Sequence, residues 1–305
     1  MEIRDLSLNE SINKRHNSRL LPYSIRGLIV GKSGCGKTTL LLNLLLRPGW
    51  LDYGKLYVFG KSLFQPEYRI LKKALEENLP KEAITWLFDN REEIQKLPWS
   101  PSSLIEEMAK NEREKSDIDC EFYETSHDVP DPRDLSCCGN NLINFDDLML
   151  EKQNKCESYY IRGRHSNVDC FYLCQNYFIL PRQTIRENSN FMLLFKQDMK
   201  NINHIYDDHV RNDMSRDEFR YLCKEAWKTP HGFVVIDLTS NNGNGKYEYR
   251  RGLVIRRVLH TVTCRGLVLS NRPGSWRERD IIISFRGDLD STGSCSQIVR
   301  LFSTV

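Results

Sequence analysis

Short apolar runs recur along the chain, separated by stretches with helical spacing. Leu28–Val30, Lys55–Ser62, Asn141–Leu150, Asn167–Tyr177, Asn190–Gln197 and Gly232–Ser240 each read as a β-strand with its flanking turn. Between them, "TTLLLNLLL" (Thr38–Leu46) and "PEYRILKKALEENL" (Pro66–Leu79) carry apolar positions at helical spacing. Continuous apolar strands alternating with helices predict an α/β fold, a mostly parallel, doubly wound sheet with helices on both faces. Ligands of such sheets sit at the carboxyl ends of the strands. No internal repeat is visible.

Directly after the first apolar run, Gly31–Thr38 reads G-x-x-x-x-G-K-T, the phosphate-binding loop. The motif sits between a strand and a strong helix former, which is the context it requires. The candidate binding set is Gly31, Lys32, Ser33, Gly34, Cys35, Gly36, Lys37, Thr38 and Thr39. The glycines let consecutive backbone N–H groups turn toward phosphate oxygens, and the following helix presents its positive end. Lys37 reaches the β- and γ-phosphates as a point charge, and the Thr38 hydroxyl is a Mg²⁺ donor. These residues predict binding of a nucleoside triphosphate and say little about the work done with it.

Two further strand ends carry chemistry. In "LINFDD", Asp146 closes an apolar strand and Asp147 follows it. A phosphate-loop enzyme needs a strand-end aspartate for Mg²⁺, so Asp146 is the expected metal residue and Asp147 the expected water activator. Asn144, inside that strand, needs a hydrogen-bond partner. In "FYLCQNY", Gln175 ends a strand, where an amide can sense the γ-phosphate; on its own, a satisfied strand-end amide explains it better.

Composition narrows the classes. The 305 residues carry a net charge of only +3, unevenly placed. Arg91–Asp134 holds 6 Lys/Arg against 13 Asp/Glu, a net of −7. With little apolar content, it reads as a surface helix followed by a flexible acidic insertion, about residues 91–140. Lys246–Arg286 holds 10 Lys/Arg against 3 Asp/Glu, a net of +7, a basic tail that is either solvated or touches nucleic acid. The expected organisation is a polar N-terminal arm (1–21), a nucleotide-binding domain (22–251) and a basic C-terminal extension (252–305). No apolar run reaches membrane-spanning length, so no membrane partner is expected. The polar N-terminus lacks a signal-peptide run, and the ten cysteines are scattered, so reduced thiols in an intracellular protein are expected. A zinc site from Cys137, Cys138, Cys156 and His165 has irregular spacing, and buried or idle thiols explain these cysteines better.

No LSGGQ-like signature is present, which argues against an ABC-type ATPase, and "NKCE" (Asn154–Glu157) fails the guanine-reading NKxD pattern at its acid. A small-molecule kinase needs an arginine-rich lid and acceptor pocket, and the paired acids point instead to hydrolysis.

The segments "LIVGKSGCGKTTLLLNLLL", "LYVFGKSLFQPEYRILKKALE", "NLINFDDLMLEKQ", "YYIRGRHSNVDCFYLCQNYFILP", "IRENSNFMLLFKQ" and "FVVIDL" come in that order. Together they resemble the genome-packaging ATPases of Maverick/Polinton transposons and related large DNA viruses. Poxvirus packaging ATPases are more distant kin, within the FtsK–HerA superfamily of ring-shaped DNA pumps. The resemblance covers Pro22 to Arg251 and stops there. It implies a RecA-like core, ATP with Mg²⁺, and a homo-oligomeric ring that moves double-stranded DNA, independent of sequence, into a capsid whose proteins are candidate partners. It implies a host nucleus or cytoplasmic assembly site, with virion association, and lends Gln175 a sensor role. A ring ATPase takes a cation from its neighbour, and the candidates are Arg162 and Arg164 of "RGRH", ranked above Arg186 of "IREN". The alternatives are a phosphate-loop small-molecule kinase and a decayed or domesticated ATP-binding interaction module.

Overall fold

The computed structural model describes residue 16, residues 20–96, 100–112, 114–135 and 140–240, and the strands at 249–251, 267–269, 276–278, 282–286 and 298–302. Eight strands form one sheet: β1 (Arg26–Val30), β2 (Lys55–Gly60), β3 (Asp119–Tyr123), β4 (Asn141–Asp146), β5 (Val168–Cys174), β6 (Phe191–Phe195), β7 (Phe233–Asp237) and β8 (Tyr249–Arg251). Their spatial order is β3-β2-β4-β5-β1-β6-β7-β8. The first six in that order run parallel. The fold is therefore α/β with a mostly parallel sheet. Helices α1 (Lys37–Leu46), α2 (Pro66–Glu76), α3 (Lys81–Asp89), α4 (Arg91–Ile94), α5 (Pro101–Asn111), α6 (Asn154–Arg162), α7 (Met199–Ile205) and α8 (Arg216–Ala226) supply the crossovers.

The central strands β4 and β5 are buried at every position. Both sheet faces are therefore covered, which is why these strands read as largely apolar runs. One face packs against α1, α2, α3 and α5, the other against α6, α7 and α8. Helix α1 buries Leu40, Leu41, Leu42, Leu44, Leu45 and Leu46, so nearly its whole circumference is core.

One expectation is corrected. The acidic stretch is not simply a surface helix and a flexible insertion: within it β3 joins the sheet as an edge strand parallel to β2. Cys120 and Phe122 pack on the α1-side core, Tyr123 stacks on Tyr57, and Lys55 bridges Asp119 at 2.7 Å and Glu121 at 2.5 Å. Charges on an edge strand discourage pairing with other chains, and here they mimic a loop composition. At the far edge β7 runs antiparallel to β6 and β8 antiparallel to β7, within a sheet that is mostly parallel as expected.

Asn144 is fully buried, and neither of its amide atoms has a hydrogen-bond partner among the described residues. The expected polar arm lies outside the described residues except at its end and at His16. His16 accepts from the Asp52 N–H through Nδ1, so Nε2 carries the proton and donates to Asp169 Oδ2 at 2.9 Å. The basic extension also lies outside the described residues, apart from two antiparallel pairs: β9 (Leu267–Leu269) with β10 (Trp276–Glu278), and β11 (Ile282–Arg286) with β12 (Ile298–Phe302). Among the described residues, no helix is long and apolar enough to cross a membrane.

A buried polar cluster lies beyond the carboxyl end of β5. The Tyr177 hydroxyl donates to Asp208 Oδ2 at 2.9 Å, so His209 Nε2, 2.8 Å away, must donate to the phenol oxygen. Burial pushes the His209 pKa down to about 4, so the ring is neutral at pH 7 with its proton on Nε2. The unfolded chain, with an ordinary imidazole, binds the extra proton first. This group's stabilisation is thus complete above pH 6.5 and is lost as pH falls toward 4, amounting to about 2 kcal/mol by pH 5. Urea unfolding at pH 7 and pH 5 should show a fall of that order in the native protein, and a smaller fall in His209→Gln. Equal falls in both would rule this histidine out as the acid-sensitive group.

Candidate nucleotide site

The phosphate loop leaves the carboxyl end of β1 and enters α1. Its start is tied to the next strand, with Gly31 N–H donating to Cys174 O at 3.0 Å. A Cβ on Gly31 would sit 2.4 Å from Cys35 Sγ and 2.9 Å from Phe195 Cβ, so only glycine fits. Gly36, the residue before α1, has φ +105°, a conformation other residues rarely take. Lys37 is folded onto its own loop, with Nζ donating to Gly31 O at 2.7 Å and Lys32 O at 3.0 Å. Lys32, Ser33, Gly34 and Thr39 are exposed, and Cys35, Gly36, Lys37 and Thr38 are half-buried. Burial raises the Cys35 thiol pKa, so this residue is not an activated thiolate.

The acidic pair comes from β4, two strands away. Asp146 is 8% exposed, and the Tyr68 hydroxyl of α2 donates to its Oδ2 at 2.6 Å. Burial raises the Asp146 pKa, against the pull of the Tyr68 hydrogen bond and the Lys37 charge. Asp147 follows with φ +56° and an exposed side chain, and the buried Ser62 hydroxyl donates to its Oδ2 at 2.6 Å.

Strand β5 stands between β1 and β4. With strands about 5 Å apart, the phosphate loop and the acidic pair are separated by roughly 10 Å. Gln175 leaves the sheet from the strand in between and is exposed there. All three sequence motifs therefore meet on one edge of the sheet. The expected metal residues, with the Thr38 hydroxyl and the Asp146 carboxylate, offer hard oxygens, which fit Mg²⁺, an ion that takes few protein ligands and completes its shell with phosphates and water.

The arginines separate. Arg162 ends α6, and Arg164 lies in the following short turn, before β5 begins. Both are exposed and sit at the amino edge of the sheet, opposite their own chain's phosphate loop. Arg186 lies apart from both: its side chain is 7% exposed, its Nη1 lies 3.0 Å from Asp208 Oδ2, and its guanidinium covers the Tyr177 ring at 5.1 Å. Breaking a buried ion pair costs about 3–5 kcal/mol, so freeing Arg186 from Asp208 is costly. Of the zinc quartet, Cys137 and Cys138 lie outside the described residues, Cys156 is buried and His165 is exposed; no group of three metal-ligating side chains occurs among the described residues.

Three contacts escaped the sequence: Ser62 and Tyr68 on the acids, and His231 on the loop. The His231 Nδ1–H donates to Cys35 O at 2.9 Å, and its ring fills the space a Gly36 Cβ would enter.

No family model and no curated protein matches this chain. Solved structures resemble it only distantly. The genome-packaging NTPase B204 of Sulfolobus turreted icosahedral virus 2, in complex with AMP, matches with a TM-score of 0.43 and 8% identity over 77% of this chain and 100% of its own. The same protein with AMPPCP gives 0.41 and 9%, over 72% and 94%. VirB4 of Thermoanaerobacter pseudethanolicus gives 0.38 and 11%, over 75% and 90%. Likeness at these values carries no weight for function, which rests on the residues themselves.

Proposed function

We propose that the protein is a Mg²⁺-dependent ATPase that moves double-stranded DNA, working as a homo-oligomeric ring in virus-like genome packaging. The observation that carries the ATPase reading is the meeting of Lys37, Asp146–Asp147 and Gln175 on the carboxyl edge of β1, β4 and β5. Lys37 exchanges the loop carbonyls for β- and γ-phosphate oxygens, and the loop N–H groups hold the rest of the phosphate chain. Thr38 and Asp146 would hold Mg²⁺, which supplies charge neutralisation on the phosphates when bound. Asp147 polarises the attacking water, and Gln175 reaches the γ-phosphate from between the two halves of the site. The paired carboxylates support water as acceptor in preference to a small-molecule hydroxyl.

The DNA and packaging part rests on the ordered set of motif segments from Pro22 to Arg251. Arg162 and Arg164, on the edge opposite the loop, suit a cation given to a neighbour, with capsid proteins as further partners. A pump of this kind holds backbone phosphates, so its DNA affinity should be independent of sequence and fall steeply with salt. The test is ATP turnover with and without duplex DNA of unrelated sequences. Stimulation by every duplex supports the motor; turnover indifferent to DNA would leave an ATPase with another task.

A further inference from the structure

We infer that Ser62 is a positioning residue for hydrolysis, aiming the Asp147 carboxylate at the attacking water. This rests on the ATPase reading above. Asp147 is exposed and its backbone is left-handed, at φ +56°. An exposed carboxylate in that setting has no packing to fix its rotamer. Ser62 supplies the constraint by donating to Oδ2 at 2.6 Å, and no described residue donates to Oδ1. One oxygen is thereby tied and the other left for water.

The donor is itself anchored. Gly60 pairs in register with Asp146 at the ends of β2 and β4, and a Cβ on Gly60 would lie 3.1 Å from Asp146 O. Two residues on, Ser62 is 8% exposed, and its carbonyl accepts from Gln65 N–H at 3.1 Å. Between them, Lys61 Nζ donates to Glu124 O at 2.6 Å and lies 3.6 Å from Glu151, which braces the connection on both sides. Gln65 leads into α2, which carries Tyr68 onto Asp146 at 2.6 Å. One short segment, residues 60–68, therefore sets both acids, and Ser62 sets the one facing water.

The test compares the full chain with Ser62→Ala, Ser62→Thr, Asp147→Asn and the Ser62→Ala/Asp147→Asn pair. Loss of aim costs about 10–100-fold in kcat for Ser62→Ala, with KM and affinity for a non-hydrolysable ATP analogue unchanged within twofold. Ser62→Thr keeps the hydroxyl and should regain most of the rate. In the Asp147→Asn background, Ser62→Ala should cost nothing further. Unchanged or raised kcat in Ser62→Ala overturns the inference, and so does an equal loss in both backgrounds, which marks a merely structural role. Failure of the native chain to bind or hydrolyse ATP is a different result and sinks the ATPase reading. Urea midpoints of the native chain, Ser62→Ala, Asp147→Ala and Ser62→Ala/Asp147→Ala then decide the contact alone, because alanine removes the accepting oxygen: a non-additive cycle supports the Ser62–Asp147 bond, and additive shifts overturn it.

Discussion

Lys37→Ala should abolish tight nucleotide binding, while Asp147→Asn should bind normally and turn over poorly. The lysine is the one loop side chain whose charge is placed for the phosphate chain, and its two present bonds, at 2.7 and 3.0 Å, are to loop carbonyls. Each charge-assisted hydrogen bond to phosphate is worth about 1.5–3 kcal/mol, so loss of two lowers affinity by about 10²-fold or more. Asp147 makes no such ground-state contact. Its amide replacement keeps an oxygen that can accept from Ser62, so the local geometry persists. What disappears is a carboxylate able to polarise water, a contribution of about 10²–10⁴-fold in rate. Equilibrium titration of a non-hydrolysable analogue and single-turnover hydrolysis separate the two effects. Equal loss of binding in both variants would contradict the roles.

The site's scaffold was legible because its signals are local. The phosphate loop is eight consecutive residues, and the acid pair and Gln175 each follow an apolar run, so strand ends located them. What the sequence hid depends on distant partners. Tyr68 has helical spacing with Leu71 and Leu75 and reads as ordinary core, yet its hydroxyl meets a residue 78 positions on. Ser62 meets its acid across 85 positions, and His231 meets the phosphate loop across 196. Strand β3 was hidden by its charges, which suit an exposed edge as well as a loop. The direction of β7 was hidden for another reason. Apolar run and helix alternate there as elsewhere, but α8 and the short turn through Thr229–Gly232 deliver the chain back at the carboxyl edge, beside Phe195, so β7 must run the other way. The setting of Arg186 was hidden because charge implies surface, whereas Asp208 and Tyr177 make a buried place for it.

Mixing two inactive variants should restore activity if the protein works as a ring. An Arg162→Ala/Arg164→Ala subunit keeps its own Lys37, Asp146 and Asp147. An Asp147→Asn subunit keeps both arginines, which are exposed on the edge opposite its own phosphate loop. Each preparation alone has every site damaged, one lacking the neighbour's cation and the other lacking the water activator. Both should still bind nucleotide, because Lys37 and the loop are intact. In mixed assemblies, some interfaces join an intact Asp147 to intact arginines, and those sites work. A cation supplied in trans is worth about 10³-fold or more in turnover, so even a minority of repaired interfaces should exceed the sum of the separate preparations. The gain should rise with protein concentration, because assembly does. Strictly additive activity, with assembly confirmed by mass measurement, would remove Arg162 and Arg164 from the trans role. Arg186 could not simply inherit it, since reaching a neighbour would first require leaving its buried pairing with Asp208.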